Sequence, residues 1–380
     1  MNSFQLIDSD EQIGTVIEAI KTEEVVGVDA ERASGFKYGQ DAYLIQLIAD
    51  KVAFLVDPRA LSGDAIKTLA AAVNTKEWIL HSATQDLPCL NDLGLYPARI
   101  FDTEVAAKLS GFEKFGLAAL VQEVQEIELK KEHSAADWSI RPLTQEMLEY
   151  AAQDVYYLKA LRAALLVRLE ELERLEFAEQ EFTHLLKFKP KEIGPNPWRR
   201  CSGIHALTKP LQLARLREMW MVRDGFAIAQ DIAPGRVVSD RSLSHAAAQE
   251  YKSIGEMKRD KSFHGRLLPK LYGDLFEAFV KASKSEMPPV REPSADAIPH
   301  HKNWQKLKPE VDETYKKLKA MLLDLAEETG IPVENIMSPS IIREALWREL
   351  DKDDIENYFV SAGARQWQLG FVLPLIRDLL

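Results

Sequence analysis

The segment VVGVDAERAS, at residues 25–34, constrains the fold most, because an apolar β-branched run leads directly into two carboxylates. Its valines are typical of a buried strand, and side chains on a strand alternate between two faces. Asp29 and Glu31 therefore share one face. Two like charges at so short a separation are unfavourable in a buried position. The pair is therefore either solvated, paired with a base such as Arg32, or bound to a cation. Which of the three applies depends on whether other carboxylates reach the same place.

Strand-like and helix-like segments alternate through the first half of the chain. Apolar runs at residues 25–28, 43–48 and 52–56 predict strands, and the turn between the last two has hairpin length, so we expect an antiparallel sheet. Helices are predicted near residues 9–21 and 64–73, a short strand at 78–80, and mainly helices over 85–187. This order is typical of an α/β domain with a small mixed sheet.

Proline-rich segments divide the remainder of the chain. Pro190, Pro195 and Pro197 interrupt FKPKEIGPNPWRR, and SEMPPVREPSADAIPHH forms a second break. Helical patterns follow each break. We therefore predict a first domain over residues 1–187, a linker over 188–207, a helical domain over 208–284, a linker over 285–308 and a second helical domain over 309–380.

Composition restricts the kind of protein. Hydrophobic residues make up 46% and charged residues 28% of the chain, as in ordinary globular proteins. No apolar run approaches the roughly 20 residues needed to span a bilayer, and the first residues do not resemble a signal peptide, so we expect a cytoplasmic protein. Cys89 and Cys201 are too few for a disulfide framework. The net charge of −11 argues against indiscriminate nucleic-acid binding, although an average of this kind can hide a basic patch.

Further carboxylates follow later in the sequence. His81 ends a predicted strand in ILHSATQDLPCL, and Asp86 begins a helix, where the helix dipole alone would favour an acid. A histidine at such a position is more often an interior group than a metal ligand. Tyr150 and Asp154 stand four residues apart in LTQEMLEYAAQDVYYLKAL, and so share one face of an amphipathic helix. Asp154 lies beside the apolar stripe of this helix, a partly buried position at which a carboxylate is unfavourable unless it has a partner or a function.

Together these residues form the pattern D-x-E, D, Y-x-x-x-D, which resembles the tyrosine-type DEDD exonucleases. The segments VVGVDAERASGFKYGQDAYLIQL, FDTEVAAKLSGF and ELKKEHSAADWSIRPLTQEMLEYAAQDVYYL are similar to the ribonuclease D family in particular. The helical modules resemble, more loosely, the helicase-and-RNase-D C-terminal (HRDC) domains of such enzymes. The resemblance implies an α/β fold, with a ribonuclease H-like mixed-sheet exonuclease domain followed by two small all-α modules.

The resemblance also implies a site for two divalent metal ions, Mg²⁺ or Mn²⁺. Both ions prefer carboxylate oxygens, and two ions can stabilise the attacking and the leaving oxygen of a phosphodiester. By this resemblance Asp29 would bridge the ions, Glu31 and Asp154 would hold one of them, and Asp86 would support the other. Tyr150 would orient the attacking water, because a phenol with a pKa near 10 is a poor base.

Residues that could contact RNA are less well defined by the sequence. By resemblance, Gln46 would touch the terminal nucleotide, and Lys131 would approach the phosphate backbone. Residues 187–223 carry nine basic and two acidic residues with Trp198 interleaved, a composition suited either to binding a nucleic-acid strand or to an ordinary solvated surface. Arg199 and Arg200 are the candidate contacts in this basic segment.

Neighbouring residues have simpler structural interpretations. Asp102 is expected to cap a helix. Asp137 is expected to support the fold locally or to pair with Arg141, and Trp138 to lie in the core.

The expected activity is that of a metal-dependent 3′→5′ exoribonuclease that releases nucleoside 5′-monophosphates. The family implies RNA with a single-stranded 3′ end as substrate, transfer-RNA precursors and other small structured RNAs included, and we expect a monomer with no membrane partner. One alternative is a DNA 3′→5′ exonuclease with the same mechanism, because carboxylate metal ligands do not read the 2′-hydroxyl. The other is an RNA-binding module without catalysis.

Overall fold

A mixed β-sheet forms the centre of the first part of the chain. The computed structural model describes residues 3–129, 136–290, 298–352 and 354–380. Within these ranges the strands are β1 (Ser3–Ile7), β2 (Val25–Arg32), β3 (Ala42–Ala49), β4 (Val52–Val56), β5 (Glu77–Leu80) and β6 (Arg99–Asp102). They lie in the order β1-β4-β3-β2-β5-β6. The predicted antiparallel set is confirmed, since β3 pairs antiparallel with both β2 and β4.

The two edge strands were not predicted from the sequence. Strand β1 pairs parallel with β4, and β6 pairs parallel with β5. Both are short, and both lie at the ends of the sheet, where one side of the strand has no neighbouring strand. Both edge strands are identified only by their parallel pairing with β4 and β5 in the tertiary structure.

Helices cover the sheet and complete the α/β domain. They are α1 (Ile13–Lys21), α2 (Gly63–Val73), α3 (Leu87–Asp92), α4 (Thr103–Leu109), α5 (Leu117–Gln125), α6 (Gln145–Tyr156), α7 (Leu158–Glu171) and α8 (Leu175–Leu185). Helix α6 packs against β1 to β4, and α7 packs against β2 and β5. Every residue of the central strand β3 is buried, which shows that both faces of the sheet are covered.

Local capping explains where several of these helices begin. Ser62 Oγ accepts a hydrogen bond from the backbone N–H of Ala65 at the start of α2. Thr144 Oγ1 accepts one from Met147 N–H at the start of α6. Asp102 accepts hydrogen bonds from two N–H groups in the first turn of α4, as expected from the sequence.

Gly27 allows helix α7 and strand β3 to approach strand β2 closely. A Cβ atom at this position would lie 2.5 Å from Ile48 Cγ2 and 3.3 Å from the side chain of Leu158. We therefore expect Gly27→Ala to reduce the free energy of unfolding by about 1–3 kcal/mol through overpacking. Gly14→Ala is the control, because nothing lies within 4 Å of that added Cβ and alanine favours helix α1. Urea denaturation of both variants tests the prediction, which fails if the two shift stability in the same direction.

Arg141 fastens the segment after residue 136 to the sheet. Its Nε and Nη2 atoms donate to the two carboxylate oxygens of Asp57 at 2.5 and 2.8 Å, and Nη2 also donates to Tyr43 O at 2.8 Å. Of the two alternatives for Asp137, pairing with Arg141 is therefore excluded. Asp137 instead accepts hydrogen bonds from the backbone N–H and the hydroxyl of Ser139, a local turn that supports the fold as expected.

Trp138 is the core residue that this segment contributes. It is 1% exposed, in agreement with the sequence-based prediction. Its ring packs against that of Tyr150 with centroids 6.3 Å apart. Arg141 Nη1 donates to Trp138 O at 2.8 Å, so the arginine also holds the tryptophan that supports Tyr150.

The next group of helices has a hydrophobic core of its own. These helices are α9 (Pro210–Gln230), α10 (Pro234–Val237), α11 (Asp240–Ala248), α12 (Ile254–Arg259) and α13 (Tyr272–Lys281). Their buried residues form a cluster separate from that of the α/β domain. Trp198 and Cys201 belong to this cluster, although they lie in the predicted linker.

The C-terminal helices share the core of the α/β domain instead. They are α14 (Trp304–Leu307), α15 (Pro309–Thr329), α16 (Val333–Ile336), α17 (Pro339–Trp347), α18 (Asp354–Ser361) and α19 (Gln366–Arg377). Trp367 stacks on Phe177 of α8 with ring centroids 5.2 Å apart, and Arg365 pairs with Glu181 at 2.7 Å. The two helical groups therefore attach to the α/β domain in different ways.

The loop after β2 is docked onto the first helical group. Arg236 Nε donates to Gly35 O at 2.6 Å, and its guanidinium lies 3.7 Å from the centroid of the Phe36 ring. Tyr38 donates from its hydroxyl to Asp224 at 3.1 Å, and its backbone N–H donates to Asp231. The helical group thus holds a loop that begins directly after the D-x-E strand.

Candidate active site

An open cavity of about 270 Å³ lies where strand β2 ends and helices α3 and α6 meet it. Strand β2 carries Asp29 and Glu31, as alternation along a strand requires. Asp86 is the residue at which α3 begins, and Tyr150 and Asp154 lie one turn apart on α6. All five side chains line this cavity. The structure therefore brings together the five residues that the sequence pattern singled out.

The four carboxylates approach one another closely. Oxygen atoms of Asp29, Glu31 and Asp154 all lie within 4.8 Å of one another, a separation that allows a shared cation. Asp86 lines the same cavity, close enough for its pKa to respond to the charge on Asp29. Four buried acids at such separations repel one another when ionised, so without a cation their protonated forms are favoured.

Burial and mutual repulsion set the protonation of the acids. Burial raises the pKa of Asp29, and it raises the pKa of Asp86 further, with help from the charge on Asp29. The pKa of Glu31 lies well above its usual range because of burial and the surrounding carboxylates. Burial and the Asp29 charge raise the pKa of Asp154 to about 8. A divalent cation would remove this repulsion, and an all-oxygen donor set suits a hard cation such as Mg²⁺ or Mn²⁺.

Tyr150 is held as a neutral phenol. Burial, followed by the charges on Asp154 and Glu31, raises its pKa, and the tyrosine shares a hydrogen bond with Asp154. A phenol with a raised pKa does not act as a base near neutral pH. The site therefore favours a positioning role for this residue.

His81 is a cavity residue to which sequence reasoning gave little weight. Its Nδ1 lies 2.9 Å from Thr103 Oγ1, and that hydroxyl donates its proton to Leu80 O at 3.1 Å. Because a hydroxyl has one proton, Nδ1 must be the donor toward Thr103, and Nε2 is left as an acceptor. Burial lowers the pKa of His81, which keeps the ring neutral. The sequence shows His81 at the end of one predicted strand and Thr103 in the later segment FDTE. Because the two residues are 22 positions apart, the sequence gives no indication that they form a hydrogen bond.

Gln46 does not reach the cavity surface. It pairs with Asp29 across β2 and β3, yet it is 0% exposed, because helix α6 covers this face of the sheet. The prediction that Gln46 contacts the terminal nucleotide is therefore wrong for this conformation. Lys131, the other predicted contact in the α/β domain, lies outside the described residues.

Much of the basic segment serves the packing of the first helical group. Arg199 lies over the ring of Trp198 at 4.5 Å and donates to Pro289 O at 2.9 Å, whereas Arg200 is exposed. Arg215 and Arg223 are 8% and 3% exposed, because they lie on the buried side of α9. Trp198 is 4% exposed, so its ring is covered by protein and has no free face on which a base could stack. The charge count along the sequence overstated the basic surface.

Comparisons with known proteins place the fold in one class. The family described as 3′-5′ exonuclease matches residues 4–170, and the family described as 3′ to 5′ exonuclease C-terminal domain matches residues 297–380. The α/β domain is thus that of a 3′→5′ exonuclease. None of the described helices is long and apolar enough to cross a membrane.

The relatives define the family within that class. Ribonuclease D of Shewanella sp. (strain ANA-3) is 28% identical, over 96% of this chain and 92% of its own. The crystal structure of Escherichia coli RNase D, titled an exoribonuclease involved in structured RNA processing, has a TM-score of 0.71 and 25% identity, covering 100% of this chain and 99% of the other. A protein from Bifidobacterium adolescentis has a TM-score of 0.85 and 30% identity, covering 100% and 99%. The chain belongs to the ribonuclease D family and is a 3′→5′ exoribonuclease.

The raised pKa values predict how pH affects the metal-free protein. Because carboxyls such as Asp154 bind protons more tightly in the folded state, their contribution to stability is full at low pH and is lost as pH rises from about 4 towards about 8. We expect the melting temperature in chelator to fall over this range. Mn²⁺ or Mg²⁺ should restore it, and should do so more at pH 8 than at pH 5, because the cation requires deprotonated ligands. Thermal unfolding followed by circular dichroism measures both effects. A melting temperature that rises with pH in chelator would contradict the prediction.

Proposed function

We propose that Asp29, Glu31, Asp86, Tyr150 and Asp154 form the active site of a two-metal exoribonuclease that releases nucleoside 5′-monophosphates from RNA 3′ ends. The observation that carries this proposal is the approach of three carboxylates within 4.8 Å, beside a fourth, in a cavity open to solvent. Carboxylates gathered in this way without a counter-cation are costly. A pair of divalent ions makes the arrangement favourable.

Each residue has a definable part in the reaction. Two divalent ions supply the stabilisation of charge on the attacking and leaving oxygens. Asp29 is central, and would hold both ions, with Glu31 and Asp154 on one and Asp86 on the other. Tyr150 would position the attacking water through its hydroxyl, whose orientation is fixed by the hydrogen bond with Asp154 and by packing on Trp138. The water oxygen would form a new bond to the phosphorus of the terminal nucleotide as the bond from that phosphorus to the 3′ oxygen of the preceding nucleotide breaks. The water would give its proton to solvent, and the leaving 3′ oxygen would take up a proton from solvent.

His81 would help to hold the substrate. Its ring lines the cavity, and Nε2 is the acceptor that remains once Nδ1 donates to Thr103. A sugar hydroxyl can donate to this atom. The interaction would favour RNA when the donor is the 2′-hydroxyl, since DNA has no such group.

We further propose the natural substrates and the domain division. The E. coli relative is titled as acting in structured RNA processing, and transfer-RNA precursors with single-stranded 3′ tails fit that class. Residues 1–187 would form the exonuclease domain, with HRDC-like domains over 208–284 and 309–380. The separate hydrophobic core of the first helical group supports treating it as a domain.

A labelled RNA tests the proposed reaction directly. We expect 5′-labelled RNA with a single-stranded 3′ tail to shorten from its 3′ end with Mn²⁺ or Mg²⁺, to remain intact with chelator, and to remain intact with Asp154→Asn. Chromatography should identify nucleoside 5′-monophosphates as products. A deoxyribo-oligonucleotide of the same sequence separates RNA from DNA activity. Intact RNA in all conditions, with binding retained, would favour a non-catalytic RNA-binding protein.

A further inference from the structure

Arg32 reaches the acidic cavity because the strand is irregular at that point. The pairing of β2 with β3 shifts between Glu31, which opposes Leu44, and Arg32, which opposes Ala42. In a regular strand, Arg32 would face away from Glu31. Irregularities of this kind redirect side chains, and they are frequent near active sites. Arg32 Nη2 accordingly lies 3.6 Å from Asp86 Oδ1.

Arg32 lies between two cavities. It lines the carboxylate cavity together with Glu31. Both residues also line a neighbouring cavity of about 270 Å³, whose far wall is the loop at Ser34, Gly35 and Phe36. Arg236 of the first helical group holds this loop through Gly35 O and the Phe36 ring. The first helical group therefore holds in place the loop that lines the second cavity, next to the carboxylates.

The contact between Arg32 and Asp86 is suited to exchange. Among the described residues that line the carboxylate cavity, Arg32 carries the only permanent positive charge. Its distance of 3.6 Å from Asp86 exceeds that of a good hydrogen bond, and its side chain is 27% exposed, against 6% for Asp86. A cation that binds Asp86 would compete with the guanidinium. A displaced Arg32 side chain would remain at the boundary of the two cavities. A phosphate group there would be a good partner, because a planar guanidinium can donate two parallel hydrogen bonds to it.

We propose that Arg32 is an exchangeable counter-cation, which pairs with Asp86 in the absence of metal and binds a backbone phosphate of the RNA when metal occupies the site. The inference rests on the proposed function for the presence of metal and RNA. It assigns the second cavity to a nucleotide next to the phosphate that is cleaved. Arg32 would thus link metal binding to the placement of the strand.

Mn²⁺ binding to the RNA-free protein tests the first half of the inference. With Arg32→Gln, the competing charge is lost, so electron paramagnetic resonance should show Mn²⁺ binding about three- to tenfold tighter than in the wild type. Arg32→Lys should fall between the two. The control is Arg99→Gln, which removes the same charge from an exposed edge strand and should leave the affinity unchanged. Unchanged or weaker Mn²⁺ binding by Arg32→Gln would overturn the inference.

RNA binding without cleavage tests the second half. In the Asp154→Asn background, Arg32→Gln should weaken binding of a short fluorescent RNA about tenfold, as measured by anisotropy with Mn²⁺ present. The dependence of log Kd on log salt should fall by about 0.7, the value for one phosphate contact on a single strand, and Arg32→Lys should restore most of it. An unchanged salt dependence would overturn the inference, because a purely structural role does not alter it. Failure of the wild type to shorten RNA would reject the proposed function while leaving both binding tests valid.

Discussion

Asp29→Asn is expected to lower the rate of RNA shortening by at least about a thousandfold, because metal stabilisation of the transition state supplies several kcal/mol. Asp29 is the carboxylate whose charge acts on Glu31, Asp86 and Asp154 alike. The same change removes repulsion from the metal-free cluster. We therefore expect the melting temperature in chelator to rise above that of the wild type, while the increase caused by Mn²⁺ becomes smaller.

A higher melting temperature in chelator together with a smaller increase caused by Mn²⁺ distinguishes a metal ligand from an acid with a purely structural role. Asp64→Asn is the control, because Asp64 is 91% exposed on helix α2 and forms only a short-range pair with Lys67. This variant should retain its rate and its response to Mn²⁺. An Asp29→Asn protein that shortens RNA at the wild-type rate would remove the basis for the proposed mechanism. One that loses activity only because it unfolds would show a lower melting temperature instead of a higher one.

Arg141→Ala is expected to reduce the free energy of unfolding by about 3 kcal/mol. The change leaves the Asp57 carboxylate, whose side chain is 6% exposed, without the guanidinium that binds both of its oxygens. Loss of one partner from a buried pair costs about 3–5 kcal/mol, and the lower end applies because Arg141 is 32% exposed. Urea denaturation followed by tryptophan fluorescence gives the change.

Arg59→Ala provides the matched comparison for this prediction. Arg59 pairs with Asp41 at 3.2 Å, but the two side chains are 52% and 57% exposed, so we expect a loss below about 1 kcal/mol. Arg141→Ala should also lower the rate of RNA shortening in the fraction that remains folded, since Trp138 would no longer be held against Tyr150. Equal losses of stability in the two variants would show that the Arg141 contacts contribute no more than a surface pair.

Patterns confined to one element were predictable from the sequence. Alternation along a strand placed Asp29 and Glu31 on one face, and helical spacing placed Tyr150 beside Asp154. The apolar runs and the hairpin-length turn predicted the antiparallel strands β2, β3 and β4. Each of these inferences uses a period fixed by backbone geometry, and for that reason needs no knowledge of distant residues.

Contacts between distant residues were not predictable in the same way. The acid nearest to Arg141 in the sequence is Asp137, but the guanidinium binds Asp57, which directly follows strand β4 and lies 84 residues away along the chain. Gln46 lies on the same pleated face as Asp29, but the covering helix α6 removes it from solvent. Burial of Arg215 and Arg223 similarly depends on which face of α9 meets the helices around it.

The sequence by itself determined the types and local order of the chemical groups: two acids ending a strand, an acid at the start of a helix, and a tyrosine one turn before a fourth acid. The tertiary structure alone decided that these groups share one cavity, that Arg32 turns towards it, and that His81 lines it. The physical reason is that short-range periodicity follows from backbone geometry, whereas proximity and burial follow from how whole elements pack.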